Sequence, residues 1–156
     1  MSQDLSDLTT WASGLLAQLS AASRKDLAKH IAADLRTANQ ARMAAQTAPD
    51  GTPYAPRKPQ LRDRLKGRGV RKGIMFKKLR LAKYLKARST SNAAVVEFAG
   101  AVQRIAQVHH HGLRDRVNLP GKGPDIQVTY TARPLIGISD ADVSRITDLV
   151  LGHLAK

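Results

Sequence analysis

Ile126-Gln127-Val128-Thr129-Tyr130-Thr131 alternates large apolar and polar side chains without a break, the period of two expected of a strand with one covered face. It is the clearest strand in the chain, and with helical stretches on both sides of it the class reads as α+β. Pro134 interrupts the alternation, and Leu135, Ile136 and Ile138 follow as a short apolar segment. Ser139 with Asp142 three residues later has the pattern of a capping box, and Val143, Ile146, Leu149, Val150 and Leu154 make one face of a closing helix. In the other direction, Leu113 to Asp125 carries Asn118, Pro120, Gly121, Gly123 and Pro124 and reads as a loop. Before it, Gly100 opens a helix in which Val102, Ile105, Ala106 and His109 share a face and which Gly112 terminates. Ala82 to Arg88 and Ala93 to Phe98 read as two strands joined by the polar turn Ser89-Thr90-Ser91-Asn92.

The N-terminal third is helical by period. Leu5, Leu8, Trp11, Ala12, Leu15, Leu16 and Leu19 form one stripe from Asp4 to Leu19, where Trp11 reads as a core or interface anchor. Ser20 caps a second helix through Leu27, Ile31, Leu35 and Ala38, ending near Ala48 ahead of Pro49. The short link predicts an N-terminal helical hairpin. Ala32, Ala33, Ala41, Ala44 and Ala45 leave room for close approach by another element or another subunit. The order ααββαβα predicts helices packed on a small antiparallel sheet. A chain of 156 residues suits a single domain, 1–156, with an extended Pro- and Gly-bearing basic loop at 49–73 inside it. Within Pro49 to Pro59 the prolines and Asp50-Gly51 favour an ordered extended connector, which Tyr54 pins to the body. Ile74, Met75, Phe76 and Leu79 predict a short helical turn, with Phe76 and His109 joining Tyr54 and Trp11 as packing residues of the core or of an oligomer.

Charge is concentrated in one place. Arg57 to Arg88 holds fourteen Lys and Arg against the single acid Asp63, +13 of the formal +14, and the rest of the chain is close to neutral. Such a segment presents charge to an anionic partner. From Gln60 to Gly73 the chain is basic and poor in large apolar groups, and it is expected to be mobile until something anionic orders it. Three readings apply: a solvated loop, contact with nucleic-acid phosphates, or docking on an acidic protein. Arg57, Lys58, Arg62, Arg64, Lys66, Arg68, Arg71 and Lys72 are the candidate contact residues for the second and third. Tyr54, Phe76 and Tyr84 are the aromatic residues nearby, too few for base stacking along a strand, so backbone contact is favoured over sequence-specific recognition.

Catalysis finds little support. Glu97 is the one glutamate, and the aspartates fall mostly in turns and first helical turns, where capping explains them. No Gly-x-Ser-x-Gly elbow occurs, there is no thiol, and Gly67-Arg68-Gly69-Val70-Arg71-Lys72-Gly73 lacks the order of a phosphate-binding loop. His109, His110 and His111 are consecutive, so on a helix they point about 100° apart and cannot converge on one ion. His109 reads as a packed histidine bonded to a carbonyl, and the helix C-terminus itself favours histidines there. No cofactor or metal is expected. The absence of cysteine excludes disulfides. No apolar run approaches the length of a membrane span, and the N-terminus lacks an export signal, which predicts a protein made in the cytoplasm.

Several strings in the chain are familiar in combination. Ala48-Pro-Asp-Gly-Thr-Pro-Tyr-Ala-Pro-Arg-Lys58, Met75-Phe-Lys-Lys-Leu-Arg80, Arg104-Ile-Ala-Gln-Val-His109 with Gly112-Leu-Arg-Asp-Arg116, and Ala132-Arg-Pro-Leu-Ile-Gly137 resemble, in this order, the phage virion morphogenesis family of the tail completion protein S type. The likeness runs from about residue 20 to the C-terminus. The chain departs from it at His110-His111, where a glutamine and an aromatic are expected, and at Tyr54, where relatives often carry tryptophan. The resemblance implies a non-enzymatic component of a phage virion or prophage-derived tail. Its expected partners are identical subunits in a ring, commonly sixfold, other neck, connector or tail proteins, and DNA without sequence specificity. Its expected location is the virion, with assembly in the host cytoplasm. The competing reading is a free, sequence-independent nucleic-acid-binding protein; a third is a metal-dependent phosphodiester enzyme.

Overall fold

The computed structural model describes residues 13–14, 19–58, 73–116 and 126–155. The expected helix over Asp4 to Leu19 with Trp11, and so the helical hairpin, lies outside these residues except for Ser13 and Gly14, which are helical, and Leu19. Most of the basic loop, 59–72, lies outside them as well.

The fold is α+β. Among the described residues it comprises α1 (Ala21–Ala45), β1 (Leu85–Ser89), β2 (Ala94–Phe98), α2 (Gly100–His111), β3 (Arg114–Arg116), β4 (Gln127–Thr129) and α3 (Asp140–Leu154). The expected small sheet is present as two separate antiparallel pairs, β1–β2 and β3–β4. The chain packs as two compact units, one of Met1–Ala38, Lys86–Glu97 and Ile138–Lys156, the other of Asn39–Leu85 and Phe98–Gly137.

Helix α1 begins as its sequence predicts, with the Ser20 hydroxyl oxygen accepting from Ser23 N–H at 3.2 Å. Its buried line runs through Ala28, Ala32, Leu35, Asn39 and Met43. Leu27 and Ile31 of the expected stripe are only half-buried beside it, while the small Ala28 and Ala32 take the buried positions. The helix stops at Ala45, three residues before the expected end. Gln46 turns left-handed (φ 62°), and the bonds Gln46 N–H to Met43 O (3.3 Å) and Thr47 N–H to Arg42 O (3.0 Å) close the helix in a Schellman arrangement.

In the first unit, which holds all of the β1–β2 hairpin but its end residues Leu85 and Phe98, the chain turns where predicted. Thr90 N–H donates to Ala93 O at 2.8 Å, and the Thr90 hydroxyl accepts from the N–H groups of Asn92 and Ala93. Arg24 of α1 reaches Ser91 O at 3.1 Å. Helix α3 carries the predicted capping box in full: the Ser139 hydroxyl accepts from Asp142 N–H, and the Asp142 carboxylate accepts from Ser139 N–H. Arg145 bonds this fully buried carboxylate and, at 3.1 Å, Asp34 of α1.

In the second unit, Gly112 ends α2 at φ 68°. Burial gathers in the last turns of α2, at Ala106 and Val108, where residues 130–135 return along the helix through Arg133 N–H to His109 O (2.8 Å). Ile105, expected on the covered face, is 51% exposed while the adjacent Ala106 is buried, so the helix turns a different side to its cover from the one expected. The loop expected from Leu113 starts later, since Arg114–Arg116 pairs with β4 in the register Arg114↔Thr129, Asp115↔Val128 and Arg116↔Gln127. Asp115, ion-paired with Arg104, anchors this strand although its sequence has no apolar alternation. Pro49-Asp50-Gly51 turns the chain as predicted, with Asp50 accepting from the Thr52 backbone (2.9 Å) and hydroxyl (2.6 Å). The predicted helical turn at 74–79 is instead a series of tight turns. Left-handed Phe76 (φ 60°) is incompatible with a right-handed helix.

Candidate functional site

Every feature of the site belongs to the second unit. Of the candidate contact residues, Arg57 and Lys58 are described, whereas Arg62, Arg64, Lys66, Arg68, Arg71 and Lys72 lie outside the described residues, as does Trp11. Lys58 is exposed. Arg57 is half-buried, and its Nη2 donates to Ile74 O at 3.2 Å. This bond joins the residue that precedes the most basic stretch to the residue that follows its end.

Tyr54, Phe76 and His109 come together in one row that Tyr130 extends. The rings meet edge to face, with centroids 5.9 Å apart for Tyr54 and Phe76, 5.1 Å for Phe76 and His109, and 4.7 Å for His109 and Tyr130. Tyr54 is buried, and its hydroxyl donates to Pro134 O at 3.1 Å. Burial pushes the Tyr54 hydroxyl up to about 12, against the opposing pull of Arg42. Burial, reinforced by the Arg133 charge, holds the His109 imidazole below its ordinary range, with Asp115 opposing. Its Nδ1 is buried and meets no hydrogen-bond partner among the described residues. Burial and then His111 lower His110 as well, and the His110 Nδ1 accepts from Leu135 N–H at 3.1 Å.

Two further residues carry the arrangement and escaped the sequence reading. Arg133, 6% exposed, spreads its guanidinium over three carbonyls: Ala55 O (2.8 Å), Pro56 O (2.9 Å) and Thr131 O (3.2 Å). It thereby fixes the connector immediately ahead of Arg57. Gln46 accepts from Met75 N–H (2.8 Å) and donates back to Met75 O (3.1 Å), fixing the segment that follows the basic stretch. An arginine before proline within Ala132-Arg-Pro-Leu-Ile-Gly137 was the available signal for Arg133; Gln46 gave none. Close packing completes the frame. A Cβ on Gly137 would fall 2.6 Å from Pro49 Cγ, while its N–H and C=O are held by Asn39 Oδ1 and Arg42 Nη2, each at 2.9 Å.

Among the described residues no group of His, Asp and Glu is placed to hold a metal ion, and no helix is long and apolar enough to cross a membrane. The arrangement is a rigid socket. Backbone carbonyls, aromatic edges and one buried guanidinium hold both stems of a cationic segment in place.

This chain belongs to the phage virion morphogenesis family, whose model matches residues 3–155. It is similar to a particular member, the tail completion protein S of Escherichia phage P2, with 40% identity over 144 residues that cover 92% of each chain. No solved structure matches it.

Proposed function

We propose that the chain is a non-enzymatic structural protein of a tailed-phage virion that completes the tail, and that it does so as a closed ring at the head–tail junction. The observation that carries this reading is coverage: likeness to a tail completion protein extends over 92% of both chains, and the family's match over residues 3–155 takes in every described element as well as the basic segment. A ring of identical subunits needs heterologous contacts that close by rotation. Helix α1, whose Ala41 and Ala45 are exposed, offers such a contact. The segment from Arg57 to Lys72 contacts DNA phosphates or neighbouring virion proteins, and the ring multiplies its charge. The tie between its two stems supports this role, since Arg57 and Ile74, on either side of the most basic stretch, are bonded to one another. The protein works in the virion and assembles there from the host cytoplasm.

The test uses a phage in which this gene is disrupted. Electron micrographs of the lysate are expected to show heads and tails unjoined, and added purified chain restores joined particles. Joined, infectious particles without the chain refute the proposal. The ring is tested separately by particle mass in sedimentation across concentration and with tail components; a strict monomer throughout counts against it.

A further inference from the structure

The described half of the cationic segment, from Gly73 onward, has a different character from the half assigned to DNA or neighbours above. Between Ile74 and Tyr84 the chain makes consecutive turns whose inward side chains, Met75 and Leu79, are buried. Outward it presents Lys77, Lys78 and Lys83 together with two large apolar side chains, Ile74 at 46% and Leu81 at 51% exposure. Three side chains hold the backbone of this short segment: Arg57 Nη2 on Ile74 O at 3.2 Å, Gln46 Nε2 on Met75 O at 3.1 Å, and Gln40 Nε2 on Arg80 O at 2.7 Å. Phe76 accepts a left-handed backbone, a conformation that persists in a bulky residue only where its surroundings impose it. The turns are therefore presented in a fixed shape.

The charge on this surface is uncompensated. No acid occurs between Asp63 and Glu97 in the sequence, and among the described residues no carboxylate pairs with Lys77, Lys78, Arg80 or Lys83. Lys83 instead lies over the Tyr84 ring, 5.4 Å from its centroid. Phosphate contact would use the lysines and leave Ile74 and Leu81 in water, whereas a protein surface buries both kinds of group at once. We infer that the turns from Ile74 to Tyr84 dock an acidic protein surface that carries apolar side chains, with Leu81 and Ile74 as anchors and Lys77, Lys78 and Lys83 supplying charge complementarity. The inference concerns residues outside the 49–73 loop and stands whether or not that loop touches DNA.

The experiment measures fluorescence anisotropy of two probes with the full chain: a short labelled peptide of interspersed glutamates and leucines, and a short labelled DNA duplex of random sequence. Peptide binding is expected, and Leu81→Ser weakens it about three- to tenfold, the range that half-burial of a leucine supports, while duplex binding is unchanged. Leu81→Met restores peptide affinity, which separates loss of an apolar anchor from misfolding. The triple variant K77E, K78E and K83E abolishes peptide binding and its salt dependence. No peptide binding, peptide affinity indifferent to Leu81, or a duplex affinity that falls with Leu81→Ser as much as the peptide's each overturns the inference.

Discussion

Replacing Arg133, 6% exposed, tests the socket at a buried cation. Its guanidinium has no carboxylate partner among the described residues, so its worth lies in the three carbonyls it satisfies. A hydrogen bond to a charged donor contributes about 1.5–3 kcal/mol, and the 3.2 Å bond to Thr131 O falls at the weak end. Against this stands the desolvation of a buried cation, which Arg133→Met removes along with the bonds. Burial already lowers this guanidinium's pKa, with Arg57 adding to the effect, which shows the sign of that cost. Met would leave the Ala55 and Pro56 carbonyls without their donor, so the net loss comes to about 2–4 kcal/mol. In a chain of this length that lowers Tm by roughly 5–15 °C. Arg133→Lys keeps the charge but cannot span the fork, so it falls between Met and the native chain. Thermal and urea unfolding followed by circular dichroism gives the stabilities. Hydrogen exchange at Tyr54 N–H, bonded to Gln46 O at 2.7 Å, reports the connector itself. If Arg133→Met unfolds with the native midpoint, or exchange at Tyr54 does not change, the guanidinium does not hold the connector.

Four further outcomes follow from the same geometry. Gly112→Ala places a Cβ 2.7 Å from Ala132 N at φ 68° and is expected to cost about 2–4 kcal/mol, whereas Gly51→Ala, at φ 84° with no atom within 4 Å, costs about 1 kcal/mol in urea unfolding. Both His109 and His110 have pKa values below the unfolded value, so the unfolded chain binds more protons in the intervening window. Their contribution to stability is complete above about pH 6.5 and is lost as pH falls towards the folded values; unfolding midpoints between neutral and mildly acid pH, flattened by His109→Gln, check the sign. Tyr54→Phe loses the bond to Pro134 O and about 1 kcal/mol, and an ultraviolet titration of the native protein shows one tyrosine ionising at about 12 that is missing in the variant. If the basic loop contacts phosphates, neutralising Arg62, Arg64, Arg68 and Arg71 lowers the slope of duplex affinity against salt, and an unchanged slope removes that contact.

Local signals were legible where chemistry is local. Ser139 and Asp142 announced the start of α3, Gly112 the end of α2, and the polar Ser89-Thr90-Ser91-Asn92 the hairpin between β1 and β2. The strand Arg114–Arg116 was invisible because its pattern is charge alone and its pairing with β4 is non-local. Alternation in Ile126-Gln127-Val128 marked β4, yet Ile126 and Val128 are 38% and 36% exposed, so period fixed the conformation without fixing its cover. The left-handed Gln46 and Phe76 gave no sequence sign, since neither is a glycine. The site was legible as charge and as a set of separate packing residues. That Tyr54, Phe76, His109 and Tyr130 form one row, and that Arg133 and Gln46 clamp the two stems, depends on side chains reaching distant carbonyls, which no spacing rule encodes.

A residue-level reconstruction of the completed tail end, within an intact particle, bears most directly on the architectural role. The expected result is a closed ring containing this chain, with the cations from Arg57 to Lys72 turned towards the DNA passage or against an adjoining virion protein. A particle that lacks the chain, or a ring whose cations lie on the outer rim far from genome and neighbours, contradicts it.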